Sequence, residues 1–161
     1  DTIGFDSRAT SSQKAQAWGC WGGQNQTFEV VRPRQLRVGY RFELRDGFQG
    51  WCLAVPVYQD ANGRTISVYD NGTPVEFRRC DGNIGMYWVR EGESWVNLGA
   101  RNVTGRDVAL DLDTTDPDGH RLQLWDLHGG ANQRWTPLES ANRRKDTGNP
   151  DAQVDNWEMP K

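Results

Sequence analysis

The sequence predicts an all-β protein built from three copies of one short repeat. The chain of 161 residues contains 18 Gly and 8 Trp, and it has few amphipathic runs of helix length. Many turn-forming glycines together with many aromatic residues are typical of β-proteins with tight turns. In addition, one stretch near the start returns near residue 130 without a gap. Such internal similarity indicates a fold made of equivalent units.

The repeat is an aromatic residue followed by Gly-Gly, then Asn-Gln, then a second aromatic residue. It spans residues 18–28 as WGCWGGQNQTF and residues 125–135 as WDLHGGANQRW. A degenerate copy with the same spacing spans residues 78–88 as RRCDGNIGMYW. The three copies divide one domain, residues 1–138, into lobes at about 1–35, 36–94 and 95–138, followed by a polar tail at 139–161.

Short alternating polar and apolar runs flank the repeats and predict half-buried strands. They are RFELR at 41–45, ISVY at 66–69 and RLQLW at 121–125. A polar insertion lengthens the second lobe, and its Asn62-Gly63 pair predicts a hairpin turn. No lobe could bury much surface by itself, so we expect the three lobes to share one core.

Charge and composition narrow the classes of function. The net charge of −3 argues against a nucleic-acid partner. No apolar run approaches the roughly 20 residues of a membrane helix, so we expect no membrane insertion. His120 and His128 are the only histidines, and no catalytic constellation or metal-ligand cluster is visible in the sequence. We therefore expect no enzyme activity, no cofactor and no metal. A chain that begins at Asp1 is compatible with a processed, secreted protein.

The third lobe carries the resemblance to a known family. Its segments ALDL at 109–112, LQLWD at 122–126 and GGANQRW at 129–135 resemble the ricin B-type β-trefoil lectins, whose hallmark is Gln-x-Trp ending each of three lobes. The resemblance covers most of residues 3–138 and implies a β-trefoil fold that binds sugars. In that family a barrel strand precedes the Leu-Asp element, whereas lobe one here starts at that element, so we expect its opening strand to be absent.

A sugar pocket needs an aromatic face, a carboxylate that accepts from hydroxyls, and an amide that both donates and accepts. The resemblance implies these roles, for galactose-type sugars, at matching positions of two lobes. In each set the last Gln is expected to orient the carboxylate. The predicted sugar-binding residues of lobe three are Asp111, Gln123, Trp125, Asn132 and Gln133, and those of lobe one are Asp6, Gln16, Trp18, Asn25 and Gln26.

Lobe two has lost this set, and we expect it to bind no sugar or to contact a protein instead. The residues at the matching positions are Ala54, Glu76, Arg78, Gly85 and Met86.

Gln-x-Trp elements can also be pure framework, with the Trp in the core and the Gln bonded to backbone. That alternative accounts for Gln133 and Trp135, but it leaves unexplained why the Asp, Trp and Asn recur in lobe one and are lost together in lobe two.

The three cysteines allow one disulfide within the chain. Cys52 and Cys80 occupy the two positions that bridge a lobe in the family, so the resemblance implies that they are bonded. Cys20 would then be a half-buried free thiol or would bond to a partner chain. The tail is either disordered or uses residues 152–157 as the missing strand of lobe one.

These observations predict a secreted lectin that binds galactose-type or related glycans through lobes one and three. An alternative is a non-catalytic cell-binding or bridging subunit of a toxin complex, with lobe two, Cys20 or the tail as docking surfaces. A third possibility is a trefoil used purely as a protein inhibitor or scaffold.

Overall fold

The structure, a computed structural model, describes most of lobes two and three and part of lobe one. The described residues are 12–17, 19, 26, 28–34, 39–44 and 49–136. Predictions about the opening strand of lobe one, about Cys20, and about the tail with its strand at 152–157 lie outside the described residues.

Antiparallel strands dominate the described residues, which confirms the all-β prediction. The strands are β1 (Gln13–Lys14), β2 (Phe28–Val31), β3 (Arg41–Leu44), β4 (Trp51–Ala54), β5 (Val57–Gln59), β6 (Thr65–Ser67), β7 (Glu76–Arg79), β8 (Trp88–Glu91), β9 (Ser94–Asn97), β10 (Val108–Leu112) and β11 (Leu122–Asp126). Helix α1 spans Leu98–Thr104, and two 3₁₀ turns span Ile84–Met86 and Ala131–Gln133. Among the described residues, no helix has the length and apolar character needed to cross a membrane.

The strands form two larger sheets and one separate hairpin. The strand orders are β1-β7-β4-β3-β2, β11-β10-β9-β8 and β5-β6. Tyr40 and Trp88 join the larger sheets, because each backbone N–H donates to the carbonyl of the other, at 2.8 and 2.7 Å. The β5-β6 hairpin turns at Gly63, with φ of 75°, as its Asn-Gly pair predicts.

Strand register shows that the repeats are structurally equivalent. In lobe two, β4 pairs with β7 so that Ala54 lies opposite Glu76. In lobe three, β10 pairs with β11 so that Asp111 lies opposite Gln123. These are the residues that the sequence comparison matches once the polar insertion of lobe two is allowed for, and the rest of each pairing keeps the same register. The alignment therefore identifies corresponding places in the fold.

The Gln-x-Trp residues hold equivalent backbone contacts in different lobes. The indole Nε1–H of Trp88 donates to the carbonyl of Leu53 at 3.2 Å, and that of Trp135 donates to Leu110 at 3.0 Å. In lobe one, Gln26 Nε2 donates to the Gly19 carbonyl at 2.9 Å, and Gln133 Nε2 makes the matching bond to Asp126 at 3.0 Å. These residues do have a framework role.

The lobes meet through three buried residues at matching positions, Ala15, Val75 and Leu122. The N–H of Ala15 donates to Val75 at 3.3 Å, and the N–H of Val75 donates to Leu122 at 3.1 Å. Lobe one thus contacts lobe two, and lobe two contacts lobe three. The same core cluster continues through large side chains from both larger sheets, including Leu44, Trp51, Phe77, Trp88, Trp95, Leu110 and Leu124.

Cys52 and Cys80 form a disulfide across the β4-β7 hairpin, which confirms the pairing that the resemblance implies. The two cysteines pack with Ala54 and Met86 in a small apolar cluster.

Helix α1 is not predicted by the sequence pattern. Its N-cap is Asn97, whose side chain accepts from the Ala100 N–H at 3.1 Å, and it ends at Gly105, with φ of 72°. The Nδ2 of Asn97 also donates to the carbonyl of Gly85 at 3.0 Å, so the cap joins lobe three to lobe two. A helix of seven residues is too short to show clear periodicity, and its two caps define it instead.

Candidate carbohydrate-binding site

The fold brings four of the five predicted residues of lobe three into contact and places the fifth, Trp125, on the same hairpin. Asp111 lies on β10 and faces Gln123 on β11. Trp125 lies two residues further along β11, and the 3₁₀ turn Ala131–Gln133 carries Asn132 and Gln133 to the same place. The hairpin thus provides the carboxylate and the aromatic ring, and the turn provides the amides.

The carboxylate of Asp111 is the centre of the cluster and accepts from three amides. Its Oδ1 accepts from Gln123 Nε2 at 3.0 Å. Its Oδ2 accepts from Asn132 Nδ2 at 2.9 Å and from Gln133 Nε2 at 3.0 Å. Asp111 is only 2% exposed, and Gln133 is fully buried. Burying a charged carboxylate is costly unless its oxygens are hydrogen-bonded, and the amides meet that requirement.

Trp125 and Asn132 are the parts of the set that solvent can reach. Trp125 is 42% exposed, whereas Trp51, Trp88 and Trp95, three of the other tryptophans that the structure describes, are buried. Asn132 is half-buried, and besides Asp111 its Nδ2 contacts the carbonyl of Leu112 at 3.2 Å. An exposed indole ring is the feature that a stacking platform for a sugar requires.

His128 belongs to the cluster, although the sequence analysis did not assign it to the site. Its Nε2 lies 3.5 Å from Asp111 Oδ2, and its side chain is 46% exposed. Its Nδ1 accepts from the N–H of Gly130 at 3.0 Å, so the neutral ring carries its proton on Nε2, facing Asp111. The sequence holds a signal for this residue, since His128 aligns with Trp21 between the same flanking residues of the repeat.

Lobe one is described at only two of its five predicted site residues. Gln16 forms an isolated β-bridge with Arg121, and Gln26 donates to Gly19 as described above. Asp6, Trp18 and Asn25 lie outside the described residues. The sugar site of lobe one therefore stays a prediction.

In lobe two, apolar packing fills the place of the pocket. Ala54 and Met86 are buried beside the disulfide, where lobe three has Asp111 and Gln133. Gly85 takes the position of Asn132, and a Cβ there would lie 2.5 Å from Val55 Cγ2. No side chain could project from residue 85 unless Val55 moved.

At the matching positions of lobe two, the charged side chains interact with neighbouring residues of the protein. Arg78, at the position of Trp125, pairs through Nη1 with Asp81 at 2.6 Å, while its buried Nε and Nη2 have no hydrogen-bond partner among the described residues. Burial raises the pKa of Glu76, and a hydrogen bond from Ser12 and the charge of Arg78 oppose this rise. Lobe two offers neither an aromatic face nor the buried carboxylate of lobe three.

Comparison with known proteins identifies the fold but no family. No protein-family model and no curated protein matches the chain. The crystal structure of a designed 3-fold symmetric protein, ThreeFoil, is similar to this chain, with a TM-score of 0.57 and 20% sequence identity. The match covers 81% of this chain and 82% of that one. The chain is a β-trefoil.

The β-trefoil fold accounts for some of the repeated residues and not for others. The contacts of Trp88, Trp135 and Gln26 to backbone carbonyls recur because the lobes share one framework. That framework forms equally well in lobe two, where the matching positions hold Ala54 and Arg78. The fold therefore does not require Asp111, the exposed Trp125 or Asn132 of lobe three, and their presence needs another explanation.

Proposed function

We propose that this β-trefoil is a ricin B-type lectin that binds galactose-type or related glycans through lobe three and, by its sequence, through lobe one. The observation that carries the proposal is that one hairpin of lobe three holds both an exposed Trp125 ring and a buried carboxylate, Asp111, whose cross-strand partner Gln123 lies two residues before Trp125. The fold does not need this combination, because lobe two forms the same hairpin without it.

The chemistry of the site fits a sugar. The apolar C–H face of a pyranose would stack on Trp125, while its hydroxyls would reach Asp111 and Asn132. Asn132 and His128 cover the carboxylate in the ligand-free arrangement. A sugar hydroxyl would therefore replace the hydrogen bond or close contact that one of these side chains makes to Asp111. Such a shallow site binds weakly, with a Kd of roughly 1 mM, or about 4 kcal/mol.

We also propose that the protein works as a secreted, non-catalytic binding module without a cofactor. The Cys52–Cys80 disulfide supports an oxidising compartment. Two sites on one rigid body would gain avidity on a surface dense in glycans.

Substitution of Trp125 tests the proposal. Asp111→Ala is a poor test, because it would remove an acceptor from the amides of Gln123, Asn132 and Gln133, and an unpaired buried amide costs about 1–3 kcal/mol. Asn132 and Gln133 would each keep one backbone carbonyl as a second acceptor. Trp125 is exposed, so Trp125→Ala should leave the fold intact and weaken lactose binding at lobe three more than about tenfold.

The measurement is an NMR titration with lactose, followed by a glycan array, in a Trp18→Ala background that removes the predicted aromatic platform of lobe one. Tyr58→Ala is the matched control, since Tyr58 is an exposed aromatic residue on the β5-β6 hairpin. Equal binding of the Trp125→Ala and control proteins would refute the assignment of the site. A blank array for the wild-type protein would refute the lectin proposal itself.

A further inference from the structure

The exposed ring of Trp125 lies against a turn that belongs to lobe two. In this turn, which spans residues 70–73, the N–H of Thr73 donates to the Asp70 carbonyl at 3.1 Å. Its third residue is Gly72, with φ of 85°. A Cβ built on Gly72 would lie at ordinary contact distance, 3.8 Å, from Cζ3 of Trp125, so the space between the ring and the turn is about one methyl group wide. The turn therefore borders the indole on this side.

Backbone hydrogen bonds attach the same turn to the strand that carries Trp125. The N–H of Gly72 donates to the carbonyl of Leu124 at 2.8 Å, and the N–H of Leu124 donates to Thr73 at 2.8 Å. Leu124 is fully buried and directly precedes Trp125. One side of the platform residue is thus fixed to lobe two.

A three-residue clamp fixes the other side. Asn71 Nδ2 donates to Asp126 Oδ2 at 2.8 Å, and Asn71 Oδ1 accepts from the Asp126 N–H at 3.0 Å. Arg106 Nη2 contacts both of them, at 2.6 Å from Asp126 Oδ1 and 3.0 Å from Asn71 Oδ1. These bonds, first those from Asn71 and then those from Arg106, lower the pKa of Asp126. The clamp consists of Asn71, Arg106 and Asp126.

The clamp also connects to the buried carboxylate. The carbonyl of Asp126 accepts from Gln133 Nε2 at 3.0 Å, and the same amide group donates to Asp111 Oδ2 at 3.0 Å. A continuous chain of hydrogen bonds thus runs from Asn71 in lobe two through Asp126 and Gln133 to Asp111. Asp126 lies at the junction, next to Trp125 in the chain.

We infer that Asn71 and Gly72 of lobe two are positioning residues of the lobe-three sugar site, where they hold the Trp125 ring in place for the ligand. This inference rests on the proposed function. It gives lobe two, which lacks the pocket residues, a part in ligand binding. Gly72 fits the role because its positive φ suits the turn that borders the ring.

The test compares Asn71→Ala with Asn102→Ala, the same change at an exposed asparagine on α1. Two readouts are measured in the Trp18→Ala background: the affinity for lactose and the NMR signal of the Trp125 indole N–H without ligand, assigned with Trp125→Phe. We expect Asn71→Ala to broaden or split the indole signal and to weaken lactose binding about three- to tenfold, because its three hydrogen bonds to Asp126 and Arg106 are exposed and each contributes modestly. The control should change neither.

Arg106→Gln opens the clamp from the lobe-three side and should shift both readouts in the same direction. An unchanged indole signal in both clamp variants would overturn the inference, whether or not lactose binds. A perturbed indole signal with unchanged lactose affinity would also overturn it, because the ring position would then not matter to the ligand. If the wild-type protein binds no lactose, the proposed function fails, and the ligand-free signal alone still decides whether lobe two positions the ring.

Discussion

A buried carboxylate determines what the lobe-three site requires. Asp111 is charged and almost fully covered, so each oxygen needs hydrogen-bond donors, and Gln123, Asn132 and Gln133 provide them. The resemblance to the lectin family, together with the recurrence of the same residue types in lobe one, pointed to Asp111 and these three amides from the sequence alone. It did not predict how deeply Asp111 lies or that His128 covers it. Burial depends on how the loop at 127–133 folds back, which no spacing in the sequence encodes.

Glu76 of lobe two is a partly buried carboxylate at the position that Gln123 holds in lobe three. Burial raises its pKa above the ordinary value, so the folded state holds the proton more tightly than the unfolded state. The resulting stabilisation is full below the unfolded pKa, near 4.5, and is lost as pH rises through the higher folded pKa. At neutral pH the ionised Glu76 therefore costs stability.

Glu76→Gln, which places the residue of lobe three at this position, should remove that cost. We expect the variant to be more stable than wild type at pH 7 by up to about 1 kcal/mol, because a neutral amide loses less on burial. The gain should shrink to nothing as pH falls below the unfolded pKa. Urea unfolding at pH 7 and pH 3.5 measures it. A gain of equal size at both values would contradict the assigned cause.

At the scale of elements, the sequence predicted the register of the paired strands. It did not predict how apolar packing fills the pocket position of lobe two. The repeat and the landmark upstream of it correctly matched β4-β7 with β10-β11. Register is strongly specified in such hairpins, because a slip of one residue would move every side chain to the other face. The sequence also indicated that lobe two had lost its pocket residues. It gave no sign that Val55 fills the space beside Gly85, since that contact joins residues far apart in the repeat.

Lobe two has a disulfide and apolar packing where lobe three has its polar cluster. Its cysteines are 28 positions apart, and a closed loop of that length stabilises by about 3 kcal/mol. We therefore expect Cys52→Ala/Cys80→Ala to lower the free energy of unfolding by about 3 kcal/mol in urea titrations.

The same double variant should keep its lactose affinity, because the disulfide lies in the apolar cluster of lobe two and makes no contact with Asp111. Wild-type protein under reducing conditions is the matched control and should lose the same stability. An unfolding free energy unchanged from wild type would show that the loop is already constrained by other contacts.

At the scale of the whole molecule, the three lobes share one core and should unfold together. Ala15, Val75 and Leu122 occupy matching positions, are all buried, and connect the lobes through backbone hydrogen bonds. The core cluster extends from these residues through the large side chains of both larger sheets. A lobe that unfolded alone would expose the surfaces that its neighbours pack against. The residues of each lobe that face the shared core must therefore remain compatible with the other two lobes. The loss of the pocket in lobe two had to preserve this packing.

Leu122→Ala tests this cooperativity. Removing a buried leucine side chain costs about 2–4 kcal/mol, which corresponds to a fall in Tm of roughly 5–15 °C for a domain of this size. We expect calorimetry to show a single transition at the lower temperature, with tryptophan fluorescence and far-UV circular dichroism changing together. Val103→Ala, at an exposed residue of α1, should leave the Tm within a degree or two. Two separate transitions in the Leu122→Ala protein would mean that the lobes are independent units, and the clamp between lobes two and three could not then transmit a restraint to Trp125.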